Sequence, residues 1–241
     1  MLPKSYISVS QIQSYLRCPA QYFFRYIRNI TFPPNRALTV GKVVHSANEF
    51  NYRQKMVSGL DLPLEDIQEY TAAEFEAHMQ ATEWGEDDPG QAKDEAIILA
   101  SLYRNEVSPK VMPAAVELRV KIEFENVPYS ILGFIDLIDG DGFIRDTKTS
   151  RKTPSENEVI KSIQLTAYTL AYQCEFGEDP AGVKLDYLVS VKKPKYVLLE
   201  ASRSQADVDR FLRLVGKVVG AISFGHFYPN PTNFMCSEKA C

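Results

Sequence analysis

Asp139-Gly140-Asp141-Gly142 stands between two runs that read as strands, residues 128–138 and Phe143–Thr149. The tetrapeptide is a strong turn signal, because glycine enters the left-handed region freely and aspartate closes a turn with its own side chain. It ties the two runs into an antiparallel pair. Side chains along a strand alternate between faces. Asp146 and Lys148 therefore share a face of the second strand, and Asp136 comes from the first, across the tight turn. Two carboxylates and one ammonium converge.

The rest of the chain arranges itself around this pair. Residues 115–125 read as a further strand, joined to 128–138 by a turn at Asn126-Val127. Strands also read at 183–191 and 195–201, split by Lys192-Lys193-Pro194. Ser155-x-x-Glu158 reads as a capping box opening a helix that reaches about Phe176, and another helix covers roughly 204–224. In front lie helices. Ser8-x-x-Gln11 opens one that stops near Cys18-Pro19, and Pro19 starts a second through Tyr26. Thr39 caps a third, which carries His45, and two more span 64–84 and 91–107. The tail from His226 is expected to be irregular. This order predicts an α/β fold, a mixed central sheet flanked by helices, with an N-terminal helical extension. Residues 1–241 are expected to form one domain: 1–113 mainly helical, and 114–241 an α/β core ending in a cysteine tail.

Hydrophobic residues make up 45% and charged residues 24% of the 241, ordinary for a soluble globular protein, and 12 glycines and 14 prolines exclude collagen-like and low-complexity classes. No run approaches the roughly 18 apolar residues of a membrane span. The N-terminus lacks the apolar core of a secretory signal, so a cytoplasmic location is expected. The net charge of −4 hides an asymmetry: residues 1–60 carry a net +7 and residues 61–95 a net −11. An acidic average thus leaves room for a nucleic-acid partner of the basic part. There is no phosphate-binding loop of the Gly-x4-Gly-Lys-Ser/Thr type and no sequence-reading helix-turn-helix or zinc finger, so little base specificity is expected.

Paired carboxylates with a lysine suit phosphodiester hydrolysis. Hard oxygen ligands hold Mg²⁺ or Mn²⁺, the ion polarises phosphate and activates water, and a lysine steadies developing negative charge. A plainer reading stands beside this one, a ribbon with a solvated charged edge. Gln164 and Tyr168, four apart on the helix opened by Ser155, share a face that serves either the site or helix packing. His45 taken alone reads rather as a buried, hydrogen-bonded core histidine.

Gly133-x-x-Asp136, Asp146-x-Lys148, Gln164-x-x-x-Tyr168 and the upstream Gly41-Lys-Val-Val-His45 together resemble the PD-(D/E)XK nuclease superfamily, and within it the RecB-like exonuclease branch. The resemblance runs from about Ser8 to Cys241 and is weakest over the acidic helices. It implies a restriction-endonuclease-like fold and a Mg²⁺- or Mn²⁺-dependent DNA exonuclease. Asp136, Asp146, Lys148, Gln164 and Tyr168 are implied as catalytic. His45, Asp136, Asp146 and the Thr147 carbonyl are implied as metal ligands, with Glu117 as an additional acid. Implied partners are DNA, as single strands or ends, and a helicase or recombinase, in recombination or repair; no membrane partner is implied. A catalytically silent DNA-binding or assembly module on the same fold is the alternative.

Some members of the branch hold a [4Fe–4S] cluster. Cys18, Cys236 and Cys241 resemble three of its ligands; either the natural chain continues to a fourth or the cluster is incomplete, and the plainer reading of the end cysteines is free thiols. Cys174 reads as a small core residue. For DNA, the basic and aromatic residues Arg17, Tyr22 and Arg25 suit phosphate contact and base stacking, or else an amphipathic helix pair with a solvated edge. Arg151 and Lys152 follow the catalytic strand and are further candidates, with surface solvation as their plainer reading.

Overall fold

The computed structural model describes residues 5–125, 128–233 and 236. At its centre β2 (Pro113–Ile122) and β3 (Ser130–Asp139) form the expected antiparallel hairpin. The turn placed at Asn126-Val127 lies outside the described residues. The next turn leads into β4 (Phe143–Ser150). Asp139 Oδ1 accepts hydrogen bonds from the N–H groups of Asp141 and Phe143, at 3.2 and 2.9 Å. Gly142 takes a φ of 82°, which a side chain would strain. β5 (Gly182–Val189) runs parallel to β4, and β6 (Lys195–Ala201) lies antiparallel on the edge.

A short strand that the alternation did not foresee, β1 (Tyr6–Ser8), pairs in parallel with Ser130–Leu132. Three residues are too few to show a period. β3 therefore has β1 beside its first residues and β4 beside its last. Only Leu137 with Arg145 and Ile138 with Ile144 pair β3 to β4. Beyond them β4 stays with β5 through Ser150 and leaves β3. The two strands open as a fork.

Helices cover both faces. On one, α1 (Val9–Arg17), α7 (Ile163–Phe176) and α8 (Gln205–Ser223) pack on the sheet through Ile12, Leu165 and Phe211 against Ile135, Ile144 and Val183. On the other, α3 (Arg36–Ser58) and α5 (Pro89–Glu106) place Val44, Leu99 and Tyr103 against Leu137 and Leu188. α4 (Leu64–Met79) packs against both of those helices. No helix among the described residues is long and apolar enough to cross a membrane.

Several boundaries depart from the pattern for local reasons. The Ser8 capping box forms, with Ser8 Oγ accepting from Gln11 N–H and Gln11 Oε1 from Ser8 N–H. α2 (Pro19–Tyr22) starts on its proline but continues as a π-helical turn, Phe23–Ile27. α3 begins at Arg36, capped by Asn35, which accepts from Leu38 N–H at 3.0 Å. Thr39 is instead buried and bonded to Thr82. The single helix expected from Ser155 is two, α6 (Glu156–Ile160) and α7, because Ser162 rather than Ser155 supplies the side-chain cap. That break puts Gln164 in the first turn of α7, where it can reach the fork.

Candidate active site

The fork holds the sequence-predicted residues. Asp136 and Asp146 follow the last β3–β4 pair, one on each strand. α3 brings His45 from one layer and α7 brings Gln164 and Tyr168 from the other. Two close approaches let the helices in. A Cβ on Gly41 would sit 3.3 Å from Thr149 Oγ1, and one on Gly133 would sit 3.3 Å from Tyr168 Cε1. Both glycines of the sequence motifs are thus packing points between a helix and a strand.

Gln164 ties one half of the site together. Its Nε2 donates to Asp146 Oδ1 and Tyr168 OH, both at 2.9 Å, and its Oε1 accepts from Lys148 Nζ at 3.1 Å. Lys148 Nζ also lies 2.7 Å from Asp146 Oδ2. In the other half, His45 Nδ1 lies 3.2 Å from Asp136 Oδ2 and His45 Nε2 lies 2.5 Å from the Thr147 carbonyl. Asp136 Oδ2 and Asp146 Oδ2 are close to charge by distance, yet both are buried with no hydrogen bond aligned on them.

Burial and neighbouring charge pull the two carboxyls apart. Burial raises the Asp146 pKa; Lys148 opposes this only in part, and Asp136 adds to it. Burial also acts on Asp136, but His45, Lys148 and the Thr147 N–H outweigh it and hold its pKa below the usual carboxylate value. Burial disfavours charge on His45 and on Lys148, and the facing carboxylates more than reverse that, so both pKa values are raised. Tyr168 is pushed far above the phenol range by burial and then by Asp136 and Asp146.

Glu117 sits across β2 from Asp136, between the pairs Val116 with Leu137 and Leu118 with Ile135. Its φ is 49°, a left-handed conformation that costs a non-glycine residue about 1–2 kcal/mol. It lines a small cavity with His45, Asn48, Glu49 and Asp136. Burial, then Asp136 and Glu49, push its carboxyl up to about 7. The Nδ2 of Asn48, on the same wall, is buried without a hydrogen-bond partner.

Behind β4 lies a charged cluster that the sequence reading missed. Arg145 is buried, with Nε and Nη2 bonded to the two oxygens of Asp186 at 3.0 and 2.7 Å. Asp139 approaches its Nη1 at 3.3 Å, and Tyr196 OH donates to Asp186 Oδ1. The signal was present: Arg145 and Asp146 are neighbours in a strand with helices on both sides, so one charge must be buried on each face.

The donors assigned to a divalent cation fit it in chemistry. Two carboxylates with buried, unaligned oxygens, a backbone carbonyl and an imidazole suit Mg²⁺ or Mn²⁺. Here they are drawn onto one another and onto Lys148. Among the described residues, no three His, Cys, Asp or Glu are spaced as ligands of one ion.

The other candidates separate. Cys18 is buried, and the tail docks on it: Asn230 N–H donates to its Sγ at 3.4 Å, and Asn230 Nδ2 to the Arg17 carbonyl at 3.0 Å. Cys236 is exposed, and Cys241 lies outside the described residues. Cys174, expected in the core, is exposed near the end of α7, because the helix outruns the sheet there. Tyr22, expected to stack on bases, is 1% exposed and packs among Tyr15, Tyr26 and Phe227, which leaves no face for a base. Arg25 is exposed, with its guanidinium over Tyr26. Arg17 is half-buried, and Arg151 and Lys152 are exposed beyond β4.

Comparison with known proteins agrees with this geometry. A solved structure from Eubacterium rectale, provisionally described as an exonuclease, superposes with a TM-score of 0.67 over 98% of this chain and 87% of its own, at 12% identity. That likeness is one of fold. A second, SSO0001, covers all of this chain and 84% of its own at 14% identity, but its TM-score of 0.46 carries no argument. No match is found among curated proteins. The model of the PD-(D/E)XK nuclease superfamily matches residues 6–241. With that match spanning nearly the whole sequence, and the fold that accompanies it, this chain belongs to the PD-(D/E)XK nuclease superfamily.

Proposed function

We propose that this nuclease-superfamily chain is a Mg²⁺- or Mn²⁺-dependent DNA exonuclease of the RecB-like kind. The observation that carries the reading is the convergence, where β3 and β4 part, of Asp136 and Asp146 with Lys148 2.7 Å from Asp146 Oδ2 and His45 3.2 Å from Asp136 Oδ2. Buried carboxylates are costly unless positive charge engages them, and a divalent cation would engage both. The exonuclease description of the Eubacterium rectale neighbour supports the finer assignment.

His45, Asp136, Asp146 and the Thr147 carbonyl would hold the cation, which when bound polarises the scissile phosphate and acidifies a water. His45 would hold the cation only in its neutral form. Lys148 would keep its proton, with Asp146 and Gln164 aiming its ammonium at the attacked phosphate, where negative charge develops. Gln164 would hold Asp146 and Lys148 in register with each other, and Tyr168 would fix Gln164. Glu117 would supply a further carboxylate at the site's edge.

The test is incubation of linear and circular single-stranded DNA with the protein and Mn²⁺ or Mg²⁺, and with chelator. Loss of the linear form alone, stopped by chelator, supports the reading. Cutting of circles makes the protein an endonuclease, and survival of both forms with folded protein overturns nuclease action.

A further inference from the structure

A second cleft opens beside the fork, about 210 Å³ in volume, between the first turn of α3 and the end of β4. It is lined by Arg36, Asp87, Glu95, Thr149, Ser150 and Arg151 among others. We propose that it is a phosphate-binding subsite for a nucleotide flanking the scissile bond, built on Arg36 and Arg151. The proposal rests on the nuclease reading above.

Position is the first argument. Arg151 lies three residues past Lys148, about 10 Å along the chain at strand rise. Arg36 lies nine residues before His45 on α3, about 13 Å along the helix axis. The same helix and the same strand thus run from the fork to the cleft. The close approach of Gly41 to Thr149 holds them side by side. A strand whose scissile phosphate meets Lys148 has a neighbouring phosphate within reach of the cleft.

Charge is the second. Arg36 Nη2 lies 2.6 Å from Glu95 Oε2, and Arg151 Nη2 lies 3.9 Å from the same oxygen. Arg36 Nε also faces Asp87 at 3.6 Å. One carboxylate oxygen draws two guanidinium groups together across the cleft. A phosphate offers more oxygens to the same two forks, and arginine matches that geometry in a bidentate way. Arg36 is 11% exposed, so its head group is held in place, whereas Arg151 is 63% exposed and free to swing. The 23-residue α3 has no acid of its own in its first turn, so its N-terminal dipole adds to the attraction that Glu95 and Asp87 oppose.

The test is fluorescence anisotropy of a short labelled single-stranded oligonucleotide, titrated at several salt concentrations in chelator. Each phosphate contact on a single strand contributes about 0.7 to the slope of log affinity against log salt. Arg151→Gln and Arg36→Gln should each lower the slope and the affinity, and the double variant should lose about one such contact in all, since both arginines act on one phosphate. Glu95→Gln should tighten binding, because it removes the competing anion. Wild-type binding with an unchanged slope and affinity in Arg151→Gln and the double variant overturns the subsite. Because Arg151 is exposed, its variant carries the test even where Arg36→Gln disturbs folding. A folded wild-type protein that neither binds nor cleaves single strands overturns the nuclease reading, and the subsite with it.

Discussion

Asp136 and Asp146 are the residues next to Leu137 and Arg145, the last pair before β3 and β4 part. Had the ladder continued, both strands would be spaced for backbone hydrogen bonds, and no side chain could enter between them. Because it stops, His45 reaches Asp136 and the Thr147 carbonyl from α3, while Gln164 reaches Asp146 and Lys148 from α7. The site is therefore a product of strand divergence. Burial, with Asp136 beside it, pushes the Asp146 carboxyl up, whereas His45 and Lys148 outweigh burial and hold Asp136 down.

Glu117 makes stability depend on pH. Its folded pKa is about 7 against an ordinary 4.5, so the folded state binds more protons across that window. Stability contributed by the protonated carboxyl is full below the ordinary value and is lost as pH rises through the folded one. Glu117→Gln removes this dependence. Without divalent ions, the variant should melt higher than the parent above pH 7 and show no such advantage below pH 4.5. A difference in melting temperature that does not change with pH contradicts the assignment.

Arg145 is predicted to be among the most sensitive positions for folding. Arg145→Met leaves Asp139 and Asp186 buried without their cation. Breaking one side of a buried ion pair typically costs about 3–5 kcal/mol. Urea melts should show a loss of that size, and Arg145→Met with Asp186→Leu should recover part of it. A single variant as stable as the parent would mean that water reaches the cluster.

Gly133 controls the placement of Tyr168. A methyl group there meets the Tyr168 ring at 3.3 Å, so the ring, whose hydroxyl accepts from Gln164, must give by a few tenths of an ångström. Gly133→Ala should cost about 1–3 kcal/mol as overpacking. It should lower kcat by about tenfold or more while leaving KM close to the parent value, since misplacement acts on the reacting geometry. Steady-state kinetics beside a melting curve separate the two effects, and an unchanged kcat contradicts the role given to Tyr168.

Much of this arrangement was legible in the sequence because short-range rules sufficed. The Asp139–Gly142 turn fixes the β3–β4 pair, alternation puts Asp146 and Lys148 on one face, and four-residue helical spacing puts Gln164 beside Tyr168. What stayed hidden depends on contacts between distant segments. Strand β1 exists only because β3 offers it an edge. Tyr22 is in the core because Phe227, more than two hundred residues away, stacks on it. Arg145 finds Asp186 through a parallel pairing that needs a whole crossover to form. Arg36 entered no motif, and only the docking of α3 on β4 shows that it meets Arg151 at Glu95.

The measurement closest to the central claim is the single-turnover rate of cleavage of end-labelled DNA in Mn²⁺ and Mg²⁺, for the parent, Asp146→Asn and Lys148→Met. The account predicts metal-dependent cleavage by the parent and a fall of about 10²-fold or more in each variant, with melting temperatures showing that both remain folded. Cleavage that survives Asp146→Asn, or a folded parent that is inactive with either ion, would contradict it.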